Sequence, residues 1–326
     1  MLRLALVLLA VLAAAPAARA GTFKPPPGKV YTGVSGGVST QPYSGEVGKD
    51  IAVMGVFVQW DGGFDYAFRA ADAAGARLML HISTQDGYGT PERVTPRGIA
   101  RGQGDAYLLR LNRRLGEEEH PVYIRFLAEM NQTNNGYSAF DRSGRSRGAS
   151  HSTKAFRAAW RRATLILRGG PRAAIDAKLR ALNLPPIQGG DGDLPQPKIA
   201  MMWVPQTEGS PAIKANSARA YWPGGRYVDW VGTDFYSRFP AFEKLERFYK
   251  DFKGKPFVFA EWALWGADDT GFVHRFFNWI RSHGRVRMQL YNQGGAPGGP
   301  FRLKQYPRSR KLIRAELRKP RHRGRP

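Results

Sequence analysis

Eight short apolar runs recur along the chain, and amphipathic segments separate most of them. The runs are Val30–Ser35, Ile51–Trp60, Ala76–Ser83, Pro121–Glu129, Lys198–Pro205, Val228–Tyr236, Pro256–Trp262 and Val286–Asn292. They are rich in Val, Ile, Phe, Tyr and Trp and mostly lack strict alternation. Strands of a parallel sheet buried on both faces have that pattern. Helices are expected between them at Phe64–Ala74, Ile99–Gly116, Lys154–Leu167, Phe242–Phe252 and Gly271–His283. In the second of these, Tyr107, Leu108, Leu111 and Leu115 fall at helical spacing. Alternating strand and helix implies βα units. Eight strands in about 300 residues predict an α/β fold, a (β/α)₈ TIM barrel forming a single domain. A doubly wound open sheet would usually carry G-x-G-x-x-G after its first strand, and Gly33–Gly37 reads G-V-S-G-G instead. Two regions break the rhythm. Gly169–Pro197, with a short helical piece at Arg172–Leu182, reads as an insertion before the fifth strand. Ser143–His151 reads as a polar loop at the barrel rim.

The two ends of the chain differ from this pattern. Arg3, an apolar run from Leu4 to Ala15 and the small-x-small triplet Ala18-Arg19-Ala20 predict a secretory signal peptide over residues 1–20. The apolar run is short for a membrane span, which takes about 20 residues. The barrel domain is expected over 21–306. Residues 307–326 form a basic C-terminal helix and tail, with nine Lys or Arg against Glu316 alone. A helix over roughly Arg308–Leu317 followed by a solvated end is the simplest expectation there.

Composition narrows the chemistry. With 42% apolar and 12% aromatic residues, the chain can bury a sizeable core. It has no cysteine, which excludes disulfides, thiol nucleophiles and Cys-ligated metals. The six histidines show no metal-ligating spacing, so neither cofactor nor metal is expected. The formal charge is +24, and loss of Arg3 and Arg19 with the leader lowers it to +22. No nucleic-acid-binding motif accompanies that charge. An anionic cell-wall polymer is a candidate partner of the basic tail, beside the plainer reading of a solvated end, and an exported monomer with no membrane contact after leader removal is the expected form.

Active sites of such barrels form where the strands end. The fourth run ends in Arg125-Phe126-Leu127-Ala128-Glu129-Met130-Asn131, the sixth in Asp234-Phe235-Tyr236 and the seventh in Ala260-Glu261-Trp262. A carboxylate closing an apolar run is costly unless it is paired or used. Glu129 and Glu261 would face each other across the mouth. Two facing carboxyls are the minimum machinery of glycoside hydrolysis. The plainer alternatives are an ion pair of Glu129 with Arg125 and a structural ion pair for Glu261 at the rim.

The ordered set of these residues resembles glycoside hydrolase family 26, from about Lys29 to Gln293. The resemblance is carried by Ile99-Ala100-Arg101-Gly102 with Asp105 and Tyr107, and by Pro121-Val122-Tyr123-Ile124-Arg125 leading to Glu129-Met130-Asn131. It continues through Trp160-Arg161, Trp203-Val204-Pro205, Tyr221-Trp222-Pro223-Gly224, Tyr227-Val228-Asp229-Trp230-Val231-Gly232, Lys255-Pro256 and Glu261. It implies a secreted retaining endo-β-glycosidase acting on a polysaccharide, most typically β-1,4-mannan. Glu129 matches the acid/base, Glu261 the nucleophile, Tyr236 the tyrosine that holds the nucleophile, and Trp203 a floor aromatic. Arg125 is expected to hold a carboxylate. Asn131, Trp60, Trp265 and Tyr291 are further candidate substrate-binding residues, as are Tyr88 and Tyr137. The chain departs from the family pattern at Ala128, where a histidine is usual. It departs again at Tyr291-Asn292-Gln293, where a tryptophan is usual. A carbohydrate-binding barrel without activity is the alternative reading.

Overall fold

The computed structural model describes residues 21–326 except Tyr88, Gly295 and Pro297. The expected signal peptide and Tyr88 therefore lie outside the described residues. Eight parallel strands close on themselves: β1 (Val30–Ser35), β2 (Val53–Gln59), β3 (Arg77–Ser83), β4 (Val122–Phe126), β5 (Ile199–Trp203), β6 (Trp230–Tyr236), β7 (Phe257–Ala263) and β8 (Val286–Asn292). Each pairs with the next, and β8 pairs with β1, so no edge remains within the ring. The architecture is the expected (β/α)₈ barrel. The helices α2 (Asp65–Ala73), α4 (Asp105–Gly116), α5 (Thr153–Arg168), α7 (Phe242–Asp251) and α8 (Thr270–Ser282) lie where the apolar spacing put them. The expected second helix is split, because Gly102 and Gly104 interrupt it and leave α3 (Pro96–Ala100) as a separate turn. Helix α1 (Gln41–Val47), too short and too rich in Pro and Gly to show a period, was not expected. Helix α6 (Arg172–Ala181) forms the insertion before β5.

Two apolar cores follow from strand alternation. Inside the ring, Tyr31, Val53, Met79, Tyr123, Met202 and Trp230 stack with Val258, Met288 and Leu290. The intervening residues point outward and bury the helices' apolar stripes. Gly33 is needed in this interior: a Cβ there would lie 2.3 Å from Leu290 Cγ.

The C-terminal residues are not a solvated end. Helix α9 (Pro307–Leu317) packs on the barrel through buried Ile313 and Leu317. Strand β9 (His322–Arg323) then pairs with Val30 and Tyr31 of β1, below the point where β2 begins its own pairing. The expectation overlooked that β1 outruns β2 and leaves backbone groups to satisfy. Among the described residues no helix is long and apolar enough to cross a membrane.

Candidate active site

Strand alternation delivers one polar layer above the apolar interior, at the C-terminal mouth. Two residues beyond Met79 stands His81, beyond Tyr123 stands Arg125, and beyond Leu290 stands Asn292. On β6, Trp230 is followed at even spacing by Asp234 and Tyr236. Strand β7 needs a correction to enter the same layer. Its register against β6 shifts so that Thr233 faces Phe259 but Asp234 faces Glu261. This bulge at Ala260 reverses the inward phase. Glu261 thereby turns into the mouth, while Trp262 turns outward and stacks on Phe276 at 4.3 Å.

Arg125 organises the layer. Its guanidinium, 1% exposed, donates to Glu261 Oε1 and to Asp234 Oδ2, and lies 2.8 Å from His81 Nδ1. Charge-assisted pairs of this kind are strong in a dry site. The other Glu261 oxygen, Oε2, accepts from the Tyr236 hydroxyl and from Asn292 Nδ2 at 2.9 Å. Asn292 Nδ2 also donates to the Tyr236 oxygen at 2.8 Å. Both oxygens of Glu261 are thus fixed by donors. Burial pushes the Tyr236 phenol well up, with Glu261 adding to it, so the hydroxyl stays a donor. Burial and the Arg125 charge push His81 well down, so its ring is neutral. Burial raises the Asp234 carboxyl against the pull of Arg125, and the neighbouring Glu261 and Glu129 reinforce that rise.

Glu129 reaches the mouth by a different route. Strand β4 stops at Phe126, three residues earlier than expected. The chain then passes through Leu127 at φ 44° and Glu129 at φ 51°, both left-handed without being glycine. Such positions cost about 1–3 kcal/mol each and persist only where surroundings enforce them. Here the Leu127 N–H donates to Ile82 O at 2.9 Å and the Glu129 N–H to Val204 O at 2.7 Å. Gln206 Nε2 lies 3.3 Å from Glu129 Oε1. Arg125 thus forms its bonds with Glu261 and Asp234, and the alternative expected for Glu261, an ion pair at the rim, is present as part of this network.

A cavity of about 1510 Å³ opens over the layer and takes in Glu129, Glu261, Arg125, Tyr236 and Trp265. Its lining holds five carboxylates (Asp86, Glu129, Glu208, Asp234, Glu261) against three cations (Arg125, Arg142, Lys244). Among the described residues no group of His, Asp and Glu has metal-ligating geometry.

Four expected substrate-binding residues do not line this cavity. Trp203 is fully buried on the outward side of β5, against Trp222, Phe248 and Phe252. It follows inward-facing Met202, so alternation alone sends it away from the mouth. Trp60 stacks on Tyr107 at 4.6 Å beneath Gly104. Tyr291, next to inward Leu290, stacks on Tyr43 at 5.2 Å. Asn131 is buried and clamps the loop after β5, exchanging hydrogen bonds with the Gln206 backbone at 2.9 and 3.0 Å. Tyr137 does line the cavity, though its hydroxyl is spent on Ala128 O at 2.7 Å. Asp234, His81, Asn292 and Gln206 are the site residues that sequence reasoning left without a role. Asp234 and His81 were visible as polar breaks in apolar runs; Asn292 and Gln206 gave no signal of their own.

No family model matches the sequence, and no curated protein matches it. Solved structures do match the fold. GH26A of a Muricauda species superposes with a TM-score of 0.58 at 16% identity, over 90% of this chain and 91% of that one. The catalytic domain of the GH26 endo-β-1,4-mannanase of Bacillus sp. JAMB-750 gives 0.59 at 12% identity, over 90% and 87%. The GH26 β-mannanase BoMan26A of Bacteroides ovatus gives 0.54 at 15% identity, over 90% of both chains. Over nine-tenths of its length the chain therefore has the barrel fold of solved glycoside hydrolase family 26 structures.

Proposed function

We propose that the protein is an exported glycoside hydrolase that cuts a β-linked polysaccharide of the mannan type by double displacement. The observation that carries this reading is the pair Glu129 and Glu261, lining one cavity from two different strand ends in two different environments. Glu261, held by Arg125, Tyr236 and Asn292, is aimed as a carboxylate nucleophile. One of its oxygens attacks the anomeric carbon while the bond to the leaving oxygen breaks. Glu129 gives its proton to that leaving oxygen. In the second half, Glu129 takes a proton from water, the water oxygen attacks the same carbon, and Glu261 departs. The mannan-type substrate is supported by the solved structures of like fold, two of which are described as mannanases. Export rests on the leader-like residues 1–20, and contact with an anionic wall polymer rests on the basic C-terminal residues.

The test is reducing-sugar release from β-mannan, glucomannan, mixed-linkage glucan and β-1,3-xylan by residues 21–326. Release by the wild type, lost in Glu129→Ala and in Glu261→Gln with unaltered circular dichroism, is the expected outcome. Full turnover in either variant overturns the reading. The anomeric configuration of the first product, followed by NMR, should match that of the substrate; inversion would remove the double displacement. Sugar binding without turnover on any of these glycans would favour the inactive barrel instead.

A further inference from the structure

Among the described residues, five large hydrophobic side chains are exposed: Val38, Phe57, Tyr66, Ile213 and Phe239. The three aromatic ones, Phe57 (44%), Tyr66 (40%) and Phe239 (64%), all line the cavity at the mouth. Exposed aromatics gathered into a single concave surface mark a binding face rather than incomplete packing. Their places in the ring give that face a direction. Phe57 lies on β2, and Tyr66, at the start of α2, braces it by donating to Phe57 O at 2.6 Å. Phe239 follows β6 and meets Trp265, beyond β7, edge-on at 5.8 Å; Trp265 in turn meets Phe301 at 5.1 Å. In the strand order β2 and β6 are four strands apart, on opposite sides of the mouth. Glu129, Arg125 and Glu261 lie between.

We infer that Phe57 with Tyr66, and Phe239 with Trp265, are two pyranose platforms on opposite flanks of the glutamate pair. The ligand is an extended, uncharged β-linked glycan that crosses the mouth and rests on both. An aromatic face offers the apolar side of a sugar ring an area to bury without demanding a polar partner. Phe57 is held for this role by its contact with the neutral His81 ring, centroids 4.5 Å apart. The ligand is uncharged because the five carboxyl groups of the lining leave its three cations no excess positive charge with which to draw a polyanion, despite the +24 charge of the chain. No residue of the flanks need touch the reacting atoms.

This inference rests on the glycosidase reading, and its test separates the two. β-1,4-linked manno-oligosaccharides of three and six units, and polymeric mannan, are assayed with wild type, Phe57→Ala, Phe239→Ala and Phe57→Trp. Each alanine variant should raise KM for the six-unit chain and the polymer by about tenfold, the equivalent of roughly 55 Å² of lost apolar contact. The three-unit chain should lose much less, and Phe57→Trp should restore the wild-type KM. Wild-type KM in both alanine variants, or equal losses on short and long chains, overturns the platforms while leaving the glutamates in place. Absence of wild-type turnover overturns the parent reading instead; the platforms are then read by calorimetric titration of the six-unit chain into the same proteins. In that titration, binding equally tight with and without the Phe57 and Phe239 rings overturns them.

Discussion

The two ends of the barrel solve opposite problems with the same strands. At the C-terminal mouth the interior layer is charged: one buried guanidinium serves Glu261 and Asp234, with Glu129 nearby on left-handed backbone. Above it lies an open cavity. At the N-terminal end the interior layer is apolar and stoppered. Phe23 packs against the inner core, and the backbone around it accepts from Tyr123 at 2.7 Å, Arg77 at 2.9 Å and Trp230 at 2.7 Å. Arg287 donates to Lys29, Pro25 and Pro26 carbonyls, and β9 completes the rim beside β1. Charges at the mouth cost stability unless every one is answered. The closed end carries hydrogen bonds and apolar contacts that chemistry does not constrain. The comparison assigns activity to one end and a share of the stability to the other, and substitutions can break that division.

The largest effect is expected at Arg125. Replacing it by Met removes the cation and leaves Asp234 and Glu261 buried without their partner. Breaking a buried pair in this way costs about 3–5 kcal/mol. Turnover should also fall by roughly 10²–10³-fold, because one oxygen of Glu261 loses its donor. Urea unfolding and reducing-sugar assays read the two losses separately. Wild-type stability in this variant would mean that the carboxylates are answered by groups other than Arg125, and the contrast between the ends would lose its basis.

A middle-sized effect is expected at the stopper. Phe23→Ala uncovers the inner core from below and should cost about 2 kcal/mol, less than a fully buried phenylalanine because Phe23 is half-buried. Activity at 25 °C should stay within twofold of wild type, since no contact of Phe23 reaches the mouth. A drop in turnover at unaltered melting temperature would show that the two ends are coupled rather than divided.

The same division explains which parts of the molecule were legible in the sequence. The eight strands were legible because each is buried on both faces and reads as one apolar run. That legibility has a cost: a run without alternation hides which residues face in. Trp203 and Tyr291 were expected at the mouth, yet each sits one residue out of phase with it, after Met202 and Leu290. The bulge at Ala260 hides the phase of Glu261 in the same way, but a carboxylate in an apolar run draws notice wherever it points. Glu129 and Glu261 were legible for that reason, Arg125 as the cation in the same run as Glu129 and Tyr236 only through the family resemblance, and all four line the cavity. Gln206 and Asn131 form a clamp between two loops, which is a fact of three-dimensional pairing and leaves no trace in either segment alone. The stopper was invisible too, because a loop residue such as Phe23 belongs to no periodic element.

The smallest effect lies in how each end answers acid. Each carries one neutral histidine: half-buried His81 at the mouth and buried His322 in β9. Burial is the main cause of the depression at His322, and the positive charges of Arg321, Lys49, Lys319 and Arg281 add to it, bringing it down to about 3. The unfolded chain takes up its proton near 6.5, where the folded chain does not. The unfolded state therefore binds more protons in that window. Stability is at its full value above about pH 6.5 and is lost as pH falls towards 3. Between pH 7 and 5.5 the loss from His322 amounts to about 1.3 kcal/mol. His81, pushed down by burial and by Arg125, adds a loss of the same sign. The His322 ring meets Phe277 edge-on at 5.4 Å, so His322→Phe keeps an aromatic ring in that place and removes the titration. Unfolding free energies of wild type and His322→Phe, measured by urea at pH 7 and 5.5, should differ in their pH slope by about that amount. An unaltered slope would mean that His322 is protonated in the folded protein, and that the closed end, like the mouth, holds a buried charge.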